Sequence, residues 1–224
     1  MNLNMFEQFA NPEILFTPTT PLSLLIPLLF ILHKPKLLKN RMLTAINLFI
    51  KAALSSMLSQ LSTTGQKWSH PLIALLILIL MSNLLGLLPY TFTTTSQLSI
   101  NMALAIPLWM ATIITGLSLK PTAALAHMLP EGSPSPLIPF MILIESVSLL
   151  MRPVALGVRL TANITAGHLL MTMISGTTLS LMHTPLSLLT TTLLILLSLL
   201  EVAVACIQAY VFVLLTILYL QENT

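Results

Sequence analysis

The sequence contains no aspartate, a single cysteine and few charged residues of any kind. Charged side chains make up 7% of its 224 residues, whereas a soluble domain carries roughly a quarter, and 56% of the residues are hydrophobic. The mean hydropathy of +0.96 therefore indicates an integral membrane protein. With Cys206 alone, the chain can form neither an internal disulfide framework nor a cysteine-based metal site.

The residues that nucleotide or metal chemistry requires are also missing. The sequence has no glycine-rich phosphate-binding loop and no nucleophile–base pair, and its five histidines lack metal-ligand spacing. The pI near 9.3 would suit a nucleic-acid-binding protein, but the basic residues flank apolar segments and do not form such a patch. We therefore expect no metal, no cofactor and no nucleic-acid partner.

Apolar runs predict an all-α fold with five membrane helices in a single membrane domain that covers residues 1–224. A helix needs about 20 apolar residues to cross the hydrocarbon core. Three runs have this ordinary length and two are much longer; they are residues 14–32, 72–89, 98–119, 137–176 and 185–220.

Residues 41–61 have the pattern of an amphipathic helix and not of a span. Apolar side chains such as Ile46, Ala53 and Met57 recur at helical spacing, and polar side chains such as Lys51 fill the opposite face. This pattern predicts a helix in the membrane interface. A helix that binds a partner protein has the same pattern, so both interpretations stay open.

The last two runs are about twice as long as a membrane requires, since single helices over them would measure ~55–60 Å. Each can form a tight hairpin, but neither has a polar turn at its centre, and Pro153 bends a helix without reversing it. The other solution is a pair of helices tilted steeply, about 60° from the membrane normal, where ordinary spans tilt about 20°. Such a tilt requires a partner surface.

The cations outside the two long runs predict the topology. With five spans they all fall on one side of the membrane; they are Lys34, Lys36, Lys39, Arg41, Lys51, Lys67 and Lys120. The positive-inside rule makes that side the cytoplasm or its organelle equivalent, the matrix.

Arg159 lies deep inside the fourth predicted span. A guanidinium does not lose its proton in a protein, and burying its charge in hydrocarbon costs several kcal/mol at least. We therefore expect the charge to have a function. The structural alternatives are an arginine paired with a carboxylate or one that snorkels to a headgroup, for which Arg159 lies too deep.

Polar and titratable side chains flank Arg159 along the chain. One face of the fourth span carries a polar stripe at 100° per residue, made of Glu145, Arg152, Arg159 and Asn163. His168 points to about the opposite face. The fifth span carries Glu201 and Gln208, and Glu222 stands at its end. Because carboxylates and histidine can pass protons and arginine cannot, this order predicts two proton paths that do not join.

Each titratable group also has a structural interpretation, which stays open. Glu145 and Arg152 can form a buried charge cluster that only neutralises itself. His168 can be a hydrogen-bonded core histidine, and Glu201 can be protonated and inert.

We expect His168 to face Glu201 across antiparallel helices. With a turn near residue 180, the two residues are offset by nine positions, or ~14 Å along the axis. A direct contact would then require an axial shift or a bend, and a water between the side chains is an equal alternative.

Five runs are spread over most of the chain; they are residues 83–89, 105–109, 125–130, 158–168 and 207–211. These runs closely resemble, in the same order, those of the membrane-embedded a subunit of rotary F-type ATP synthases in its animal mitochondrial form. The resemblance implies a proton-translocating stator subunit of the mitochondrial inner membrane that is not catalytic alone. The implied partners are the ring of c subunits, the peripheral stalk and other subunits of the complex, membrane lipids and the transported protons.

The resemblance also implies roles for single residues. Arg159 matches the arginine that faces the c-ring, and the long tilted helices match those that contact the ring. The other matches are His168 and Glu201 on the intermembrane-space path, Glu145 and Glu222 on the matrix path, and Asn163 and Gln208 as polar partners near the arginine. Arg152 departs from animal relatives, in which this position is often uncharged.

Two other classes of function stay open on the residues alone. A secondary transporter would bind its substrate with charges at the membrane midplane, but such folds usually show repeated halves, and no repeat is visible here. A passive scaffold of a respiratory complex would tolerate replacement of its intramembrane charges.

Overall fold

The computed structural model describes residues 9–10, 12–14, 17–18, 20–31, 41, 44, 48, 51–53, 55–56, 59, 65–88, 91–119, 121–122 and 137–223. These residues are mostly helical. The five helices are α1 (Thr20–Ile31), α2 (Ser69–Gly86), α3 (Leu98–Leu119), α4 (Ile138–Ser180) and α5 (Ser187–Asn223). Short 3-10 turns cover Gly65–Trp68 and Thr94–Ser96, and β1 (Glu13–Ile14) pairs antiparallel with β2 (Thr17–Pro18). The prediction of an all-α class is confirmed apart from this two-residue ladder.

Among the described residues, four helical segments are long and apolar enough to cross a membrane, and they overlap the last four predicted spans. They are Gly65–Gly86, Leu98–Leu119, Ile138–Ser180 and Ser187–Glu222. The first predicted span and the interfacial helix stay predictions. Much of 41–61 lies outside the described residues, although those described from Arg41 to Ser56 are helical.

Within the described residues, α1 begins at Thr20, later than the start of the predicted first span at residue 14. Prolines explain the shift. Pro18 disfavours helical backbone in the residue before it, whereas Pro21 lies in the first turn of α1, where its missing N–H has no helical acceptor to lose. The 12 residues of α1 extend over ~18 Å, less than the ~30 Å of hydrocarbon.

The two long runs are continuous helices of 43 and 37 residues, which excludes the hairpin alternative within each. At 1.5 Å per residue they measure ~65 and ~56 Å. Pro153 is accommodated inside α4. The reversal comes instead at Leu181–Leu186, where the Thr184 amide donates to the Leu181 carbonyl at 2.9 Å. The steep tilt stays a prediction.

The chain divides into two compact units, and each long helix contributes to both. The first unit contains Met1–His33, Leu76–Asn101 and Arg159–Val211, and the second contains Lys34–Leu75, Met102–Val158 and Phe212–Thr224. The single membrane domain expected for residues 1–224 stays a prediction.

Small residues and one amide join α2 to α5 in the first unit. Ala205 and Ala209 are 5% and 0% exposed, so the helix surface there is narrow enough for close packing. The Asn83 side chain donates a hydrogen bond to the Ala205 carbonyl at 3.5 Å. In the second unit, Gly157 allows the Met102 side chain to pack closely against α4, since a Cβ at this position would lie 2.6 Å from the Met102 sulfur.

Candidate functional site

Arg159 lies on an exposed face of the first unit. Ala162, Asn163 and Ala166 share this face at helical spacing and are exposed with it, whereas Leu160 on the other side is 1% exposed. The Arg159 guanidinium forms no hydrogen bond or ion pair with any residue that the structure describes. The described part of the chain therefore lacks the carboxylate that a purely structural arginine would require.

His168 and Glu201 meet inside the first unit, as the sequence predicted. The His168 Nε2 atom lies 3.9 Å from the Glu201 Oε1 atom, a distance too long for a direct hydrogen bond. Glu201 is 8% exposed, and its Oε1 atom has no hydrogen-bond partner among the described residues. A bridging water or a side-chain shift of less than ~1 Å would connect the two groups.

The position of the turn explains why these side chains meet without an axial shift. The nine-residue offset assumed a turn near residue 180, and that position is wrong, because α4 continues to Ser180 and α5 begins only at Ser187. Measured from the middle of the observed turn, His168 and Glu201 are offset by about two residues, or ~3 Å. Antiparallel packing alone therefore brings them together.

Gly167 and Phe9 complete the surroundings of this pair. A Cβ on Gly167 would lie 2.7 Å from the Glu201 Oε1 atom, so only glycine allows the carboxyl group this close to α4. The Phe9 ring meets the His168 ring edge to face, with centroids 6.5 Å apart and an interplanar angle of 77°. Neither Gly167 nor Phe9 is among the candidate site residues that the sequence predicted.

Further buried polar groups lie in the first unit. Gln208 is 8% exposed, two turns after Glu201 on the same face of α5. Asn83 and Asn101 are 3% and 0% exposed, and each has a side-chain oxygen without a hydrogen-bond partner among the described residues. Sequence reasoning missed both asparagines. Within the described residues, no hydrogen bond joins Asn163 or Gln208 to Arg159, so their role as its polar partners stays a prediction.

Arg152 forms an ion pair with Glu222 in the second unit. Its guanidinium carbon also lies 5.1 Å from the centre of the Tyr219 ring. The charge cluster of Glu145 with Arg152 that the sequence allowed is not found, because the guanidinium is turned to α5. Glu145 is half-buried and has no ion pair among the described residues.

The fold and these side chains define a multi-pass α-helical membrane protein whose spans contain carboxyl groups, an imidazole and a cation without an ion-pair partner in the described part of the chain. The family model of the ATP synthase A chain matches residues 15–221. Relatives named ATP synthase F(0) complex subunit a align over the full length of both chains, with 69% identity in Lycodon semicarinatus, 56% in Struthio camelus and 50% in Pan troglodytes.

The chain belongs to the ATP synthase A chain family. It is therefore a multi-pass protein of the mitochondrial inner membrane and a proton-translocating subunit of ATP synthase that is not catalytic alone. Family membership favours this function over the secondary transporter and the passive scaffold.

Proposed function

We propose that the chain forms two offset proton half-channels that lead to a ring of c subunits and that Arg159 separates them. The observation that carries the proposal is the position of Arg159, exposed on α4 without an ion-pair partner among the described residues. Ala162 and Ala166 are exposed on the same face, and their small side chains let another helix come close to the charge.

Arg159 acts as a barrier because its guanidinium keeps its proton. When a ring carboxylate has released its proton, it is ionised and pairs with Arg159 as it passes. A proton cannot cross from one half-channel to the other through the guanidinium. It must instead travel around on the ring, so proton flow is coupled to rotation.

His168 and Glu201 supply the half-channel from the intermembrane space. Glu201 is buried and lies within one bridging water of His168, so a proton can pass between the two groups and on to a ring carboxylate. Glu145 and Glu222 line the half-channel to the matrix. Asn163 and Gln208 are the polar groups that we assign to the surroundings of Arg159.

The long helices α4 and α5 are the surface that the ring contacts. Their ~65 and ~56 Å suit helices that cross the membrane at a steep tilt and follow the ring over a long path. The peripheral stalk, other subunits of the complex and membrane lipids are the remaining partners.

The test is Arg159→Gln, with Arg152→Gln as the control because Arg152 is the other cation of α4. The variant complexes are placed in vesicles, and ATP synthesis is measured under an imposed proton gradient. Arg159→Gln should abolish synthesis and allow protons to leak when the catalytic sector is removed, whereas the effect of Arg152→Gln should be much milder. ATP synthesis at the normal rate in Arg159→Gln vesicles would refute the proposal.

A further inference from the structure

The two matrix-side carboxylates, Glu145 and Glu222, differ in their contact with Arg152. Arg152 is bound to Glu222, and its guanidinium also lies over the ring of Tyr219. Tyr219 and Glu222 are three residues apart, so they occupy the same face of α5 and hold the guanidinium between them. The side chains of Arg152 and Glu222 are only 23% and 33% exposed, which limits their contact with surrounding solvent or lipid.

Glu145 has no such partner in the part of the chain that the structure describes. It precedes Arg152 by seven residues, which places it ~10 Å away along the axis of α4. Glu145 forms no ion pair with the residues that the structure describes. Among the described residues, a cation therefore compensates Glu222 but not Glu145.

A proton carrier must gain and lose a proton each time a ring carboxylate passes. If Glu222 gained a proton, its ion pair would be lost and a permanently charged guanidinium would remain in a partly buried position without its carboxylate. Glu145 can gain and lose a proton without breaking an ion pair. A cycle of protonation and deprotonation therefore costs more free energy at Glu222 than at Glu145.

We propose that Arg152 holds Glu222 as a fixed carboxylate, so that Glu145 carries the proton on the matrix side and Glu222 positions the end of α5. Glu145 accepts the proton that a ring carboxylate releases and passes it to water on the matrix side. Glu222 lines the same path but keeps its negative charge. This inference rests on the proposed function, since it assigns roles within the matrix-side half-channel.

The first arm of the test compares the two carboxylates in whole ATP synthase complexes. ATP-driven proton transport into vesicles is measured and divided by the amount of assembled complex. Glu145→Gln should lower transport at least about tenfold, because it removes a carrier. The double variant Arg152→Gln with Glu222→Gln removes both charges and leaves no lone cation. Its transport should fall much less than that of Glu145→Gln, because the double variant removes no proton-transferring group.

The second arm separates a charge effect of Arg152 from a merely structural one. Arg152→Gln in the Glu145→Gln chain frees Glu222, which can then carry protons in place of the missing carboxylate. Transport should rise at least about threefold above that of Glu145→Gln alone, a partial return of the lost proton-transfer rate. A structural role of Arg152 predicts a further fall instead. Arg152→Lys in the same chain keeps a cation beside Glu222 and should give no rise.

The outcomes distinguish this inference from the proposed function. If the charge-free double variant transports protons as poorly as Glu145→Gln, Glu222 is a carrier and the inference is wrong, while the half-channel proposal stands. The same holds if Arg152→Gln gives no rise in the Glu145→Gln chain. If Glu145→Gln transports protons normally, the matrix-side half-channel as proposed is itself wrong.

Discussion

Gly167→Ala should slow proton transport by displacing Glu201 and not by unfolding the protein. The new Cβ would lie 2.7 Å from the Glu201 Oε1 atom and 3.2 Å from its Cδ atom. To reach an ordinary contact of 3.4 Å, the carboxyl oxygen must withdraw by about 0.7 Å. The obstacle is the far end of a flexible side chain, so the backbones of α4 and α5 can stay in place.

The energies indicate that the variant complex still assembles. Overpacking in a tight site costs ~1–3 kcal/mol, and alanine regains up to ~1 kcal/mol over glycine inside a helix. The functional cost is larger. A misplacement of ~1 Å in a reacting group can cost on the order of a hundredfold in rate, so a shift of about 0.7 Å should lower transport roughly tenfold or more.

Gly176→Ala is the matched control, because it makes the same change on the same helix where no atom lies within 4 Å of the new Cβ. ATP-driven proton transport per assembled complex is measured for both variants. Gly176→Ala should differ little from the original protein. If the two variants transport protons equally well, the position of Glu201 beside His168 does not matter for proton access and our reasoning about this site is wrong.

Three further predictions concern the first unit and the topology. Exchanging the pair, His168→Glu with Glu201→His, keeps both titratable groups and should retain more proton flux than either single apolar replacement; equal loss in an assembled complex would contradict a paired relay. Arg159→Lys should fail in ATP synthesis, because a lysine can lose its proton and lacks the delocalised charge, and synthesis near the normal rate would argue against a permanent barrier. A cysteine at the exposed position Thr91, in a chain whose Cys206 is replaced, should react with an impermeant reagent from the intermembrane space; reaction from the matrix side alone would overturn the topology.

Hydropathy alone predicted the four described helices that are long and apolar enough to cross a membrane. The third predicted span, residues 98–119, matches α3 at both ends, and the two long runs differ from α4 and α5 by a few residues. The reason is local: hydrocarbon offers no hydrogen bonds to the backbone, so an apolar run of sufficient length must form a helix. The described helix α1 begins later than the first apolar run, at Thr20, because the prolines of this segment limit where helical backbone can start.

The partners of the polar side chains were decided by the packing of helices far apart in sequence. An error of one residue in the position of the turn changes the register of two antiparallel helices by two residues. The turn between α4 and α5 was expected between three and four residues too early, which misplaced the expected partner of His168 by ~10 Å along the helix axis. Three contacts depend on how such distant segments pack. They are the close approach of Glu201 to Gly167, the ring contact of Phe9 with His168 and the ion pair of Glu222 with Arg152.

The sequence by itself thus determined the class of protein, its family and the residues that can move protons, because composition and helical period are properties of a single segment. Only the tertiary structure decided that Glu201 lies 3.9 Å from His168, that Arg159 is left exposed and that Arg152 binds Glu222 and not Glu145. Arg152 is seven residues from Glu145 and 70 from Glu222, yet it binds the distant residue. A long side chain on a helix bonds to the group that packing brings within reach, and no periodicity within one segment specifies that group.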